Sequence, residues 1–244
     1  MIHAGWGGMA DPESQVHLGE NVENSFKLMS TLYRLGLKKF IFLGSINEYG
    51  QRGGRLSEEM EPQGSLRNYE LGKRQVGELG RHESEKWGAV YIHVRLANTF
   101  GAPQRPGSLI GALHQAYTNN VPAQLSACED YRDYIHTSEA AEGVVRICSV
   151  DLSTTVNLGS GKSTQLKKFA EKYWETLGGE RDALHFGAIP SLENEPEQSK
   201  PFLDISKLEE LTQWRPVSTI EEGINQTITA MRSIETSRLA QEGR

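Results

Sequence analysis

Two short apolar runs, Phe40-Ile41-Phe42-Leu43 and the stretch from Ala89-Val90-Tyr91-Ile92 to Leu96, each follow a segment of helical periodicity that closes on a glycine. Over 22–35 the apolar residues Val22, Phe26, Met29, Leu32, Tyr33 and Leu35 recur at helical spacing, and Gly36 stands where a left-handed residue ends the last turn. Over 66–87 a longer helix is expected, ended by Gly88. A strand that is apolar without interruption has no polar face to offer water, so it needs helices over both faces of a parallel sheet. The alternation of helix and strand with short connections therefore predicts a doubly wound α/β sheet, and excludes a sandwich or a bundle.

After Gly101 the rhythm changes. A helix is expected over 109–117, a turn at Asn119-Asn120, and a helix over 138–149 with Ala140, Ala141, Val144, Val145 and Cys148 on one side. A strand over 154–158 and a helix over 164–177, stopped at Gly178-Gly179, follow. The stretch 189–201 is polar, acidic and flanked by prolines, which reads as a loop. Helices over 206–211 and 219–231 close the chain, the second begun by Thr219 with Glu222 in capping-box spacing. The last dozen residues are expected to fray, and no internal repeat is present.

Composition narrows the classes of function. A chain of 244 residues fits one compact core with a small appendage. Its net charge of −6 disfavours nucleic acid or an anionic membrane surface as the main partner. No apolar run approaches the roughly 18 residues of a membrane helix. The opening Met1-Ile2-His3-Ala4-Gly5-Trp6 has no basic start and no long apolar core, so the expected compartment is cytoplasmic. Cys128 and Cys148 form no CxxC and read as reduced thiols. The seven histidines lack ligand spacing, so no metal site is expected.

Two pieces carry chemistry. In Tyr69-Glu70-Leu71-Gly72-Lys73 the spacing of four puts a phenol and an ammonium one turn apart on one helix face. A tyrosine near pKa 10 is no base at neutral pH, and lowering it by about 3 units needs about 4 kcal/mol of preference for the phenolate, part of which a nearby cation supplies. Gly44-Ser45-Ile46-Asn47-Glu48-Tyr49-Gly50 puts a hydroxyl just past the end of a buried strand, where open α/β sheets bind ligands. The alternative for Ser45 is a turn serine that caps a backbone group.

Together these residues resemble the extended short-chain dehydrogenase/reductase family, the NAD-dependent epimerase/dehydratase group that acts on nucleotide sugars. The resemblance runs along nearly the whole chain. Ile2-His3-Ala4-Gly5 is similar to the family's strand before the central helix, and Asn21-Val22 to that helix's start. Phe42-Leu43-Gly44-Ser45 with Glu48-Tyr49-Gly50 is similar to the strand and turn of the catalytic serine, and Tyr69 and Lys73 to the YxxxK pair. Arg95, Asn98 and Gly101 match the R-x-x-N-x-x-G strand end, and Arg132-Asp133-Tyr134-Ile135-His136 the RDxIH segment. Asn157-Leu158-Gly159-Ser160-Gly161 and Trp214-Arg215-Pro216 resemble later landmarks.

The resemblance implies a Rossmann-like doubly wound parallel sheet, N-terminally incomplete, with a small C-terminal substrate-binding α/β subdomain. A partial Rossmann-like domain would occupy 1–104, and the last Rossmann elements with the subdomain 105–244. It implies an NAD(P)-dependent nucleotide-sugar 4-epimerase or 4-ketoreductase in which Tyr69 exchanges a proton with a sugar hydroxyl or ketone. Ser45 would hydrogen-bond the same oxygen, and Lys73 would tune the phenol and hold the nicotinamide ribose. His3, Ala4, Gly5 and Asn21 fall on the cofactor side with Tyr69 and Lys73. Asn47, Asn98 and Arg132 fall on the substrate side with Ser45. It also implies a homodimer through the helices over 22–35 and 66–87.

Three departures shape this expectation. The family begins with a strand and a glycine-rich pyrophosphate turn; Trp6-Gly7-Gly8 lacks that pattern and follows no credible strand, so the cofactor, NAD or NADP, stays open. A truncated reading frame, a non-catalytic remnant that binds a sugar nucleotide or a partner protein, and a piece completed by another chain all fit. The Asp-Glu pair of 4,6-dehydratases is replaced by Ile46 and Asn47, which favours epimerisation or keto reduction over loss of water. Where many relatives place an arginine for the substrate phosphates stand the acids Glu193, Glu195 and Glu197.

Overall fold

The computed structural model describes residues 1–104, 107–190 and 200–242, with side chains up to 237. Along the first half run β1 (Ile2–His3), α1 (Glu20–Arg34), β2 (Lys39–Leu43), β3 (Arg55–Leu56), α2 (Asn68–Trp87), β4 (Val90–Leu96) and β5 (Asn98–Phe100). Then come α3 (Leu109–Thr118), β6 (Ala123–Gln124), β7 (Tyr131–His136), α4 (Thr137–Ile147), β8 (Thr154–Leu158) and β9 (Ser163–Gln165). The chain closes with α5 (Leu166–Leu177), β10 (Leu184–His185), β11 (Phe202–Leu203), α6 (Ser206–Thr212) and α7 (Ile220–Glu242).

The main sheet has the order β1-β2-β4-β8 and every pairing is parallel. Successive side chains of a strand point to opposite faces, and the two apolar runs use both. Phe40, Phe42 and Tyr91 meet Val22, Met29, Tyr33 and Val76 of α1 and α2. Ile41, Ile92 and Val94 meet Ala140, Val144 and Ile147 of α4 and Leu208 of α6 on the other side. This is the doubly wound arrangement that the uninterrupted runs predict, and burying each of these large side chains contributes about 2 kcal/mol.

Beyond Ala97 the chain leaves this sheet. β5 pairs in parallel with β7, which pairs antiparallel with β9, and α3, α5 and α7 pack with this second sheet around Phe100, Leu113, Phe169, Tyr173 and Ile224. Two further two-stranded pairings, β6 with β10 and β3 with β11, lace the loops together.

Several sequence expectations need correction. Residues 163–165 pair with 131–133 as a strand, so the helix expected from 164 starts at Leu166. Trp6-Gly7-Gly8 does follow a strand, because Ile2 and His3 pair with Ile41 and Phe42. The helix expected to end at 231 continues as α7 to Glu242. Most of the loop over 189–201, with Glu193, Glu195 and Glu197, lies outside the described residues.

Helix α2 sits unusually deep. A methyl group at Gly72 would lie 2.3 Å from the His17 carbonyl oxygen, at Gly77 2.7 Å from His93 Nδ1, and at Gly80 2.2 Å from the Tyr91 ring. Gly77 and Gly80 thus remove the side chains that would hold the helix off β4, and Gly72 removes one that would hold it off the turn at His17.

Candidate active site

Ser45 is the first residue past β2 and the cap of a 3-10 turn over Ile46–Tyr49. Its Oγ accepts a hydrogen bond from the Asn47 amide at 3.2 Å, while the Glu48 carboxylate accepts one from the Ser45 amide at 2.7 Å. The serine therefore does cap a backbone group, and that cap fixes its position at the mouth of the sheet. Tyr69 stands in the first turn of α2, tied to the loop before α1 by its amide, which donates to the Pro12 carbonyl at 2.9 Å. The Ser45 hydroxyl lies close enough to favour the Tyr69 phenolate.

Lys73, one turn further on, is 5 % exposed. Its Nζ donates to the Leu43 carbonyl at 2.7 Å and lies 4.2 Å over the Trp6 ring and 4.8 Å over Phe42. Burial pulls this ammonium down to about 8, with the Glu48 carboxylate pulling the other way. Burial pushes the Tyr69 phenol up; Ser45 opposes this and Glu48 reinforces it. The three side chains read from the sequence thus converge on the C-terminal end of β2, where parallel sheets bind ligands, and burial there works against the phenolate form of Tyr69.

The remaining expected residues divide by place. His3 ends β1, with Nε2 2.9 Å from Ser25 Oγ, and burial, then the Lys73 charge, lowers its pKa. Ala4 and Gly5 follow it on the exposed edge. Asn21, in the first turn of α1, accepts from the Gly7 amide at 2.9 Å and donates to the Gly7 carbonyl at 3.0 Å, which clamps the turn that carries Trp6. Asn47 is half-buried beside Ser45, whereas Ile46 is buried in the core under the sheet. Asn98 and Arg132 lie on β5 and β7 of the second sheet. Asn98 donates to the Asp133 carbonyl at 3.3 Å, and Arg132 lies 4.0 Å from Asp130.

Five residues of the site were not foreseen. Trp6 donates from Nε1 to His17 Nδ1 at 3.0 Å, which makes His17 Nε2 the donor to the Asp11 carbonyl at 2.9 Å. The Trp6 and His17 rings stack, and Tyr69 meets both edge-on. Behind Ser45, the fully buried Glu48 accepts from His93 Nε2 at 2.9 Å and from Arg95 Nε at 3.4 Å. The one available signal was small residues facing large ones: Gly44 and Gly77 are the positions that leave His93 its space.

Among the described residues no helix is long and apolar enough to cross a membrane, and no three His, Cys, Asp or Glu side chains gather as a metal site. Cys128 and Cys148 are both free.

Against known proteins, the model of the NAD dependent epimerase/dehydratase family matches residues 4–159. The chain belongs to that family. It is 21% identical over 238 residues to the uncharacterised UDP-glucose epimerase YtcB of Bacillus subtilis, covering 96% of this chain and 72% of that protein. It is 28% identical over 236 residues to UDP-glucuronic acid decarboxylase 1 of Danio rerio, covering 90% of this chain but 55% of that protein. Its fold resembles that of UDP-N-acetylglucosamine 4-epimerase from Methanobrevibacter ruminantium in complex with UDP-N-acetylmuramic acid. That match has a TM-score of 0.80 at 23% identity and covers 95% of this chain and 76% of the other. UDP-glucuronic acid 4-epimerase from Bacillus cereus, in complex with UDP-glucuronic acid and NAD, matches with a TM-score of 0.76 at 19% identity, covering 88% and 68%.

Proposed function

We propose that this chain carries the catalytic end of a nucleotide-sugar 4-epimerase or 4-ketoreductase, with Tyr69 as the acid/base. The observation that carries this is the convergence of Ser45, Tyr69 and Lys73 at one buried strand end. The relatives named for UDP-sugar chemistry support the substrate class. In this role Ser45 donates a hydrogen bond to the C4 oxygen of the sugar, and Tyr69, as phenolate, takes the proton from that hydroxyl as the carbonyl forms. Lys73 lies one turn from the phenol and offsets its negative charge. Asn98 and Arg132 suit the diphosphate as donors, and Ile46, buried in the core, leaves no acid in that position for eliminating water.

The donor set also fits a nicotinamide dinucleotide at its ribose end. Lys73 spends one N–H on the Leu43 carbonyl and keeps two for a diol, and His3, Ala4 and Gly5 present backbone at the end of β1. The bound dinucleotide supplies hydride acceptance and return; the protein's part is the proton and the position.

A non-catalytic role in binding a sugar nucleotide or a partner has its own support: Trp6 lies over Lys73, and burial disfavours the Tyr69 phenolate. One experiment separates the two. The full chain is assayed with UDP-sugars and NAD or NADP, beside Tyr69→Phe. Turnover that falls about 10² to 10⁴-fold in Tyr69→Phe, with UDP-sugar binding retained, supports the catalytic role. Binding without turnover in both proteins supports the second.

A further inference from the structure

We propose that Glu48 is a positioning residue for this site: from beneath Ser45 it holds the serine turn, and its buried negative charge governs the balance of charge between Tyr69 and Lys73. The proposal rests on the role given to Tyr69 above.

The cluster is built rather than incidental. Glu48 is 1 % exposed and accepts four hydrogen bonds: from the Ser45 amide, from His93 Nε2 on each carboxylate oxygen, and from Arg95 Nε. Two glycines on different elements make its room. A methyl group at Gly44 would lie 2.3 Å from both Glu48 Oε1 and His93 Nε2, and one at Gly77 2.7 Å from His93 Nδ1.

The groups bound to the carboxylate come from two elements: β4 contributes His93 and Arg95, and its own turn the Ser45 amide. Its charge also reaches Tyr91 on β4 and Tyr69 and Lys73 on α2. Tyr49 in turn packs its ring under Arg95 at 4.6 Å and donates to Asn157 at 2.8 Å, and Arg95 donates to the Glu58 carbonyl at 3.1 Å.

Burial alone would neutralise such an acid. His93, Arg95 and the Ser45 amide overcome it, and the carboxyl stays below its ordinary value. A charge kept at that cost acts on what lies nearby: Lys73 Nζ is bound to the Leu43 carbonyl, two residues before the Ser45 amide that Glu48 holds, so the carboxylate favours the Lys73 ammonium and disfavours the phenolate of Tyr69 one turn away. A cap for the Ser45 turn would not need the charge, because a glutamine oxygen accepts the same amide.

Glu48→Gln therefore separates the two roles. The full chain, labelled at tyrosine Cζ, is titrated by NMR with the Tyr69 signal assigned from Tyr69→Phe. In Glu48→Gln the Tyr69 inflection is expected about one pH unit lower than in the wild type, the response to losing one nearby like charge. Glu48→Asp, which keeps the charge, should leave it in place. Should Glu48→Gln fail to fold, Glu48→Gln with His93→Asn removes the charge while the glutamine oxygen still accepts from the Ser45 amide and Arg95 Nε, and the same downward movement is expected. An inflection unmoved in the folded charge-removing variant overturns the proposal and leaves Glu48 a cap. The titration needs no substrate, so it succeeds or fails independently of the turnover assay that tests Tyr69.

Discussion

Glu48, at the end of the main sheet, and Asp133, on the second, are both carboxylates sealed from water, yet opposite kinds of partner hold them. Glu48 has an imidazole and a guanidinium beside it and stays below its ordinary value. Asp133 accepts from the amides of Ser160, Gly161 and Leu203 and from the Ser160 hydroxyl, and burial pushes it up against those bonds. One carboxylate keeps its charge next to chemistry, while the other staples the turn after β8 and strand β11 to β7. A buried acid is thus a candidate for function according to its partners, not its depth.

The sharpest way to break this contrast is Asp133→Ala. It strands three backbone donors in the interior and should cost about 4 kcal/mol in denaturant unfolding; a loss under about 1 kcal/mol would mean that Asp133 staples nothing. Gly44→Ala comes next. Its methyl group cannot share space with Glu48 and His93, so a loss of about 3 kcal/mol is expected from overpacking, together with loss of any activity that depends on Ser45.

Lys73→Met should act in the opposite direction. The folded ammonium titrates at about 8, below its ordinary 10.5, so the unfolded chain binds the proton more tightly. Stability should rise with pH between those two values, and the cost of the buried charge is in full force below 8. Removing the charge should stabilise the protein by about 2 kcal/mol at pH 7 and flatten that rise, seen in thermal melts across the alkaline range. Glu48 gives a slope of the same sign in acid, because there too the unfolded chain binds the proton more tightly: its contribution is present above its ordinary 4.5 and fades as pH falls through its lower folded value. The smallest effect calibrates the rest. Arg55 and Asp204 form a surface pair, 2.9 Å apart with the arginine well exposed, and Arg55→Ala should leave the denaturant unfolding midpoint nearly unchanged.

Legibility followed the physics of each segment. The parallel sheet could be read because Phe40, Ile41 and Phe42 are apolar in succession, a pattern with few other homes. Ser45, Tyr69 and Lys73 could be read because they are close in sequence to the ends of those elements. Residues 163–165 were misplaced because Thr164 begins a helical periodicity, while the pairing with β7 that claims them is a tertiary contact with no local signature. Trp6 and His17 were invisible for a related reason: neither lies in a periodic segment, and their stacking depends on Asn21 clamping Gly7. Glu48 was in plain view, but its partner His93 is 45 residues away, and a strand histidine reads as an ordinary core residue.

The three glycines that seat α2 also carry a cost for the helix itself. Each is about 1 kcal/mol less helix-forming than alanine, so the segment Asn68–Trp87 would hold together poorly as a free peptide and owes its shape to the surface it lies on. Tyr69 and Lys73 are thus displayed by an element that exists only in its docked form. In amide hydrogen exchange, α2 should open together with β4 and not as a separately fraying helix, so whatever loosens the sheet dissolves the site in the same event.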